Sequence, residues 1–159
     1  MDRNERGFSL IELLIVVAII GIIAAIAIPS LLKSQQAARE TAAVSEVQGI
    51  HKAQVLYSVT KGKGKYATLE ELIAAANLPN SFPGGVKGGY TYTSAPVSAD
   101  GLAAMYDTSA VPTSVGTFGT ANVSYYMNET GVIYEAEGGE PPTATPQDRV
   151  PQNGTVYTR

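Results

Sequence analysis

The chain has 159 residues, a formal net charge of −3 and a pI near 5.1, so its overall charge gives no reason to expect nucleic acid as a partner. It contains no cysteine, no tryptophan and a single histidine, which excludes a disulfide framework and a thiolate metal site. The sequence shows neither a nucleophile–base pair nor a metal-ligand cluster, and it therefore predicts a protein that is not an enzyme, with no catalytic residue, metal or cofactor.

The first predicted element is an apolar run from Phe8 to Leu32 that holds one acid, Glu12. As a helix it would be about 37 Å long, enough to cross the hydrocarbon core of a bilayer. A secretory signal peptide is disfavoured because the run exceeds the usual apolar region of about 7–15 residues. The six residues before Gly7 also carry two acids that cancel two arginines. A plain membrane anchor explains the length of the run but gives Glu12 no purpose, unless its carboxylate snorkels to the nearby interface.

A cut between Gly7 and Phe8 would give Glu12 a function. Phe8 would then carry a new α-amino group about one helical turn from the carboxylate of Glu12. Between staggered subunits, the two charges could pair inside an apolar bundle. Such a buried pair adds little net stability but fixes the register of the subunits strongly.

The segment from Gly7 to Leu13 (GFSLIEL), followed by the apolar run, resembles the N-terminus of type IV prepilins and type II secretion pseudopilins. The resemblance implies that prepilin peptidase cuts after Gly7 and methylates Phe8, and that Glu12 is the assembly glutamate. It implies a precursor in the inner membrane with residues 1–7 as a cytoplasmic leader. The mature form would be a homo-oligomeric helical filament, extracellular or spanning the periplasm, built by inner-membrane assembly machinery.

The same resemblance assigns residues 8–32 to a helix that is first transmembrane and then part of the filament core. Gly21 and Pro29 match helix-weakening positions of the family, and the segment between them is expected to bend or melt in the filament. Membrane helices tolerate both residue types routinely, so this feature also fits a plain membrane helix. The side chains expected to pack in the filament core are Leu13, Leu14, Val16, Val17 and Ile20.

Residues 33–60 are predicted to continue the helix as an amphipathic half. Apolar residues recur there at three- and four-residue spacing, which indicates one buried stripe. We expect His51 to lie at the boundary of this stripe. The stripe consists of Ala43, Val47, Ile50, Ala53 and Tyr57, and the opposite side is expected to carry Gln36, Arg39, Glu40, Glu46 and Lys52.

A globular head is predicted over residues 61–136, followed by a Pro- and Gly-rich tail over residues 137–159. Thr68 and Glu71 form a capping-box pattern that predicts a short helix to about Ala76. Strands are predicted at 89–93, 102–106, 122–127 and 132–136, the last two joined by a turn over Asn128–Gly131. The tail is expected to be irregular or to wrap the head, with a terminal strand at Val156 and Tyr157.

These elements predict an α+β fold of the pilin-like ladle type, in which a long helical spine packs against a small antiparallel sheet. The head lacks the cysteine pair that staples the C-terminal region of many pilins. A calcium site in the head would require folding to bring together scattered acids such as Asp100, Asp107, Glu129 and Asp148.

The leading functional hypothesis is a structural subunit of a type IV pilus, comparable to a major pilin and serving adhesion, motility or uptake. One alternative is the major pseudopilin of a type II secretion system. Another, from a different class, is a membrane-anchored binding domain with an intact N-terminus.

Overall fold

A computed structural model describes residues 8–75, 77–79, 82–98 and 104–158. Within these ranges, a long N-terminal helix packs against an antiparallel sheet, and the predicted α+β ladle is confirmed. The predicted leader with Gly7 lies outside the described residues, and so do Asp100 and the first residues of the strand predicted at 102–106.

Helix α1 runs without interruption from Leu10 to Thr60, which is 51 residues or about 77 Å. Its predicted end at Thr60 is confirmed. The first half is exposed almost throughout, whereas the predicted stripe of the second half packs on the head. Of this stripe, Ala43, Val47, Ile50 and Ala53 are buried and Tyr57 is partly buried.

The prediction that Gln36, Arg39 and Glu40 face away from the head is wrong. Gln36 is buried, and Arg39 and Glu40 are half-buried against the loop of residues 113–122. The positions follow the same three- and four-residue spacing as the apolar stripe, so they lie on the same face of α1. Polar residues suit this part of the face because the loop presents backbone carbonyl and amide groups.

The two remaining residues of the predicted polar side, Glu46 and Lys52, differ in burial. Glu46 is half-buried, and its carboxylate lies 2.6 Å from Nζ of Lys87 on the first strand. Lys52 is exposed, as predicted.

Helix α2 spans Leu69–Ala74 and begins at the predicted capping box. The amide of Glu71 donates to Oγ1 of Thr68 at 3.3 Å, and the amide of Thr68 donates to Oε2 of Glu71 at 2.8 Å. Leu69 and Leu72 are buried against the sheet and α1. The helix ends two residues before the predicted Ala76, which itself lies outside the described residues.

The strands form one sheet in sequence order, and each pairs antiparallel with the next. The face that packs on α1 is rich in tyrosine, with Tyr90, Tyr92 and Tyr125 in the core. Within the described ranges the strands are β1 (Val86–Lys87), β2 (Tyr90–Val97), β3 (Met105–Pro112), β4 (Val123–Asn128), β5 (Ile133–Glu137) and β6 (Thr155–Val156).

The hairpin of β4 and β5 is confirmed to within one residue at each end. The amide of Gly131 donates to the carbonyl oxygen of Asn128 at 3.0 Å, and Gly131 has a φ of 76°, the left-handed conformation that glycine adopts without steric cost.

The predictions for β2 and β3 were too short. Strand β2 continues to Val97, and β3 continues from Met105 to Pro112 rather than ending at Tyr106. In the missed part of β3, three polar residues (107–109) are followed by three apolar residues (110–112), so its sequence lacks the alternation of a half-buried strand. It is stabilised by cross-strand hydroxyl pairs that only the register creates: Thr93 with Ser109 at 2.7 Å, and Ser94 with Thr108 at 2.8 Å.

The Pro- and Gly-rich tail wraps back to the head. Its terminal strand β6 is confirmed at Val156, which pairs with Tyr134 of β5, although the second strand residue is Thr155 and not Tyr157. Tyr157 packs edge-on against Tyr125 on the core face of the sheet.

Candidate assembly site

The predicted assembly residues lie at the first turn of α1. Ser9 is the N-cap, and its Oγ accepts a hydrogen bond from the amide of Ile11 at 3.3 Å. The carboxylate of Glu12 folds back, and its Oε2 accepts the amide of Ser9 at 2.9 Å. The two residues therefore form a capping box, which satisfies backbone donors that have no partner within the helix.

This geometry holds the carboxylate of Glu12 beside the position where the chain would be cut. Phe8, 87% exposed, is the first described residue and directly precedes the N-cap. An anionic group at this point is also favoured by the positive end of the helix dipole. The capping box thus positions the negative charge within one turn of the α-amino group that a cut before Phe8 would create.

The role of Ser9 was missed by the sequence interpretation, which treated it only as part of a motif. The signal was present: Ser9 and Glu12 have the S-x-x-E spacing of a capping box. The same pattern at Thr68 and Glu71 marks the start of α2. An N-cap followed by an apolar membrane helix is a less familiar context for it.

The surface that follows Glu12 is apolar on every side. Helix α1 is long and apolar enough to cross a membrane, and none of its most apolar 18-residue window is buried by the rest of the chain. The residues predicted to pack in a filament core are all exposed in the single subunit, by 48% at Val16 and by 59–61% at Leu13, Leu14, Val17 and Ile20. A surface of this kind needs lipid or other helices around it.

Gly21 and Pro29 both lie inside the continuous helix. A Cβ added at Gly21 would meet no heavy atom within 4 Å, so packing within the subunit does not require glycine there. Their predicted role in melting the helix concerns the filament and stays a prediction.

The second half of α1 is tied to the head by polar contacts at both ends of the interface. At the lower end, which is the end nearer the N-terminus of α1, Nε2 of Gln36 donates to the carbonyl oxygens of Gly116 and Gly119 at 2.9 and 3.0 Å. At the upper end, the buried amide of Gln54 accepts from the backbone of Ala67 at 3.0 Å and donates to its carbonyl at 2.6 Å. Because these groups are buried and satisfied, they hold the helix and the head in one relative position.

Two of the scattered acids converge, but on an arginine. Nε of Arg149 lies 2.7 Å from Oε1 of Glu129, and its Nη2 lies 2.9 Å from Oε2 of Glu129 and 2.6 Å from Asp107. The backbone carbonyl of Arg149 also accepts a hydrogen bond from Asn128 at 2.8 Å. Arg149 was not singled out by the sequence interpretation, because nothing in the sequence indicates which acids a tail arginine will meet.

This cluster fastens the tail to the sheet. Burial alone would raise the pKa of Glu129, but the hydrogen bonds from Arg149 and from backbone amides outweigh it and lower that pKa. Asp148, the neighbour of Arg149, caps a turn in the tail instead. Within the described residues, no group of three or more acidic, histidine or cysteine side chains could hold a metal ion.

His51 is half-buried at the edge of the stripe, where its Nδ1 is hydrogen-bonded to the hydroxyl of Tyr106. Burial lowers the pKa of His51. The Nε2 side of its ring faces Gly131 of the hairpin. A Cβ atom placed on Gly131 would lie 3.5 Å from Nε2 of His51.

Comparison with known proteins identifies the N-terminal segment. Residues 2–28 match a family described as the prokaryotic N-terminal methylation motif. The chain carries a prepilin-type methylation motif. Together with the relatives described next, this match confirms the resemblance to type IV pilins and type II secretion pseudopilins.

Relatives with curated names match longer stretches of the chain. The chain is 53% identical over 53 residues to the type IV major pilin protein PilA of Myxococcus xanthus, covering 33% of this chain and 24% of that protein. It is 46% identical over 57 residues to the type IV wide pilus major component PilA4 of Thermus thermophilus, covering 36% and 44%. The type II secretion system core protein G of Aeromonas hydrophila is 32% identical over 82 residues, covering 51% and 56%.

The chain thus spans between about a quarter and just over half of the length of these relatives. No solved structure matches the chain significantly. Each match thus covers only part of this chain and part of the relative.

Proposed function

We propose that this protein is a structural subunit of a type IV pilus, comparable to a major pilin. The observation that supports the proposal most directly is the capped carboxylate of Glu12 at the start of a fully exposed apolar helix. The subunit is made as a precursor in the inner membrane, and prepilin peptidase removes residues 1–7 and methylates Phe8. Assembly machinery then transfers the helix from lipid into a core shared with other copies.

Transfer from lipid to the core is reasonable because both environments are apolar. Moving the helix between them exposes no hydrophobic surface to water, so the register depends on the few polar groups present. The α-amino group of Phe8 and the carboxylate of Glu12 are two such groups. Pairing them between neighbouring subunits avoids leaving two unpaired charges in an apolar bundle. The role is mechanical, and it requires no catalytic residue, cofactor or metal.

The experiment that tests the role of Glu12 separates its charge from its capping hydrogen bond. Glu12→Gln removes the charge, but a glutamine amide oxygen can still accept the amide of Ser9. We expect Glu12→Gln and Glu12→Ala to reduce surface filaments at least about tenfold, because a loss of about 1.4 kcal/mol weakens the equilibrium constant for adding a subunit tenfold. Membrane insertion, measured by carbonate extraction of the precursor, should stay unchanged.

The matched control is Ser9→Ala, which removes the cap and keeps the charge. This variant should still assemble, because the charge pair is intact and a helix N-cap contributes only about 1 kcal/mol. Filaments at wild-type abundance from Glu12→Gln would contradict the proposed role of the charge.

A second candidate, the major pseudopilin of a type II secretion system, is favoured by one observation. The match to the secretion protein of Aeromonas hydrophila covers 82 residues, and so reaches beyond α1 into the head, whereas the pilin matches cover 53 and 57 residues. Deleting the chain's gene distinguishes the two functions. A pilus subunit predicts loss of surface filaments with protein export unchanged, and a pseudopilin predicts the reverse.

A further inference from the structure

The loop of residues 113–122 lies at the lower end of the head, where α1 leaves it. In addition to the contacts of Gln36, Nη1 of Arg39 donates to the carbonyl oxygen of Thr120 at 3.2 Å. The amide of Asn122 donates to Glu40 at 3.1 Å. These contacts fix the loop at the level of residues 36–40 of the helix.

The loop is held rigidly and presents an aromatic side chain at its tip. The amide of Thr120 donates to the carbonyl oxygen of Ser114 at 2.8 Å, and that of Gly119 donates to Gly116 at 2.9 Å. Phe118 is 85% exposed, and Val115 on the same loop is 50% exposed. A large apolar side chain held outward by an ordered loop adds nothing to the packing of the head.

The height of this tip relative to the apolar helix is set by geometry. The apolar run ends at Leu32, and Lys33 follows. Gln36 lies four residues beyond Leu32, which is about 6 Å along the axis. The headgroup layer on each side of the hydrocarbon core is about 5–8 Å thick. A helix that spans the bilayer up to Leu32 therefore places the loop within the headgroup layer.

We propose that Phe118, together with Val115, inserts into the boundary between headgroups and acyl chains while the subunit is held in the membrane before assembly. The inference rests on the proposed function, since it requires the membrane-held precursor. Amphipathic segments that lie in this boundary use phenylalanine and leucine on their buried face. Insertion of Phe118 sets the height and tilt of the head before assembly, and the side chain leaves the lipid when the subunit joins the filament.

Recognition depends on apolar insertion rather than on charge. The positive charges of Lys33 and Arg39 are balanced at this level by the negative charges of Glu40 and Glu137. Glu137 lies near the loop because the amide of its neighbour Gly138 donates to the carbonyl oxygen of Asn122, at the end of the loop. A mixed surface of this kind has no strong attraction to anionic lipid, so a zwitterionic bilayer is the appropriate partner.

The chain contains no tryptophan, so a single introduced tryptophan reports on its own surroundings. The test uses three variants of the full chain in phosphatidylcholine vesicles whose acyl chains carry bromine at known depths. Phe118→Trp probes the loop. Val59→Trp is the exposed control, because Val59 is 74% exposed and lies 23 residues above Gln36, about 35 Å along α1. Ile20→Trp probes the middle of the spanning segment.

We expect the emission of Phe118→Trp to be blue-shifted relative to Val59→Trp. It should also be quenched several-fold more strongly by shallow bromines than by deep ones. Ile20→Trp should be quenched most by deep bromines, and Val59→Trp only by a water-soluble quencher. If Ile20→Trp is quenched as expected but Phe118→Trp behaves like Val59→Trp, the insertion of the loop is overturned and the membrane-spanning helix stands.

Two further outcomes would also overturn the inference. Absence of deep quenching at Ile20→Trp would contradict the membrane-held precursor and the insertion together. A Phe118→Trp side chain that is exposed to water in vesicles and shielded only in assembled filaments would identify a second copy of the chain as its partner instead of lipid.

Discussion

Arg149 makes the densest set of ionic contacts among the described side chains, with Asp107 on β3 and Glu129 in the turn between β4 and β5. Its side chain is 13% exposed, and those of its partners are 20% and 36% exposed. In a chain without cysteine, this cluster fastens the tail to the sheet by ionic contacts alone.

We predict that Arg149→Ala lowers the free energy of unfolding by about 2–3 kcal/mol, because it leaves two partly buried carboxylates unpaired. Lys87→Ala, which breaks the more exposed pair with Glu46, should cost less than about 1 kcal/mol. Urea unfolding of the full chain in detergent, followed by tyrosine fluorescence, measures both. Equal losses for the two variants would contradict the assigned role of Arg149.

His51 makes the stability of the head depend on pH. Because burial lowers its pKa from 6.5, the folded chain binds fewer protons than the unfolded chain just below that pH. The stabilisation is complete above pH 6.5 and is lost progressively as the pH falls below it. His51→Gln cannot be protonated and can keep the hydrogen bond to Tyr106, so its stability should not change over this range. A wild-type chain with the same flat profile would rule out the effect.

A second loss of stability is expected at lower pH from Glu129. Its pKa is lowered from 4.5 in the folded state, so its contribution is complete above pH 4.5 and disappears as the pH falls through the lowered value. Glu129→Gln should remove this second loss and leave the one due to His51. Thermal melts of wild type and both variants across the acid range separate the two groups.

At the scale of elements, the two halves of α1 differ in their contacts with the rest of the subunit. The first half has no partner in the subunit, whereas the second half is fixed to the head from Gln36 to Gln54. Any loss of helicity on assembly is therefore confined to the first half, where Gly21 and Pro29 weaken the backbone hydrogen bonding.

We predict fast amide hydrogen exchange at residues 22–28 in assembled filaments. The double variant Gly21→Ala and Pro29→Ala should slow exchange there by at least about tenfold, because it gains roughly 4 kcal/mol of helix propensity. Gly49→Ala is the matched control, since Gly49 also lies in α1 with no heavy atom within 4 Å of an added Cβ. Slow exchange at residues 22–28 in wild-type filaments would contradict the predicted melting.

The sequence predicts those elements whose signal is local. The apolar run, the buried stripe, the capping box at Thr68 and the turn at Gly131 each depend on spacing within a few residues, and each is confirmed. The extent of β3 and the partners of Gln36 and Arg149 depend on contacts between distant parts of the chain. Local periodicity carries no information about such contacts, which is why they were missed or assigned to the wrong face.

At the scale of the whole molecule, the proposed function assigns different roles to the two halves of α1. In that proposal the exposed half lies first in lipid and then in a shared core, and the half fixed to the head from Gln36 to Gln54 carries the head through the transfer. The described contacts between α1 and the head are satisfied within one subunit, so the head does not need to refold when its surroundings change.

The most direct test of this account is the N-terminal mass of the protein recovered from sheared surface filaments. A chain that begins at Phe8 with one added methyl group is the predicted result, because only that species places the α-amino group one turn from Glu12. A filament subunit that begins at Met1, or within the apolar run at Ile28, would contradict the account.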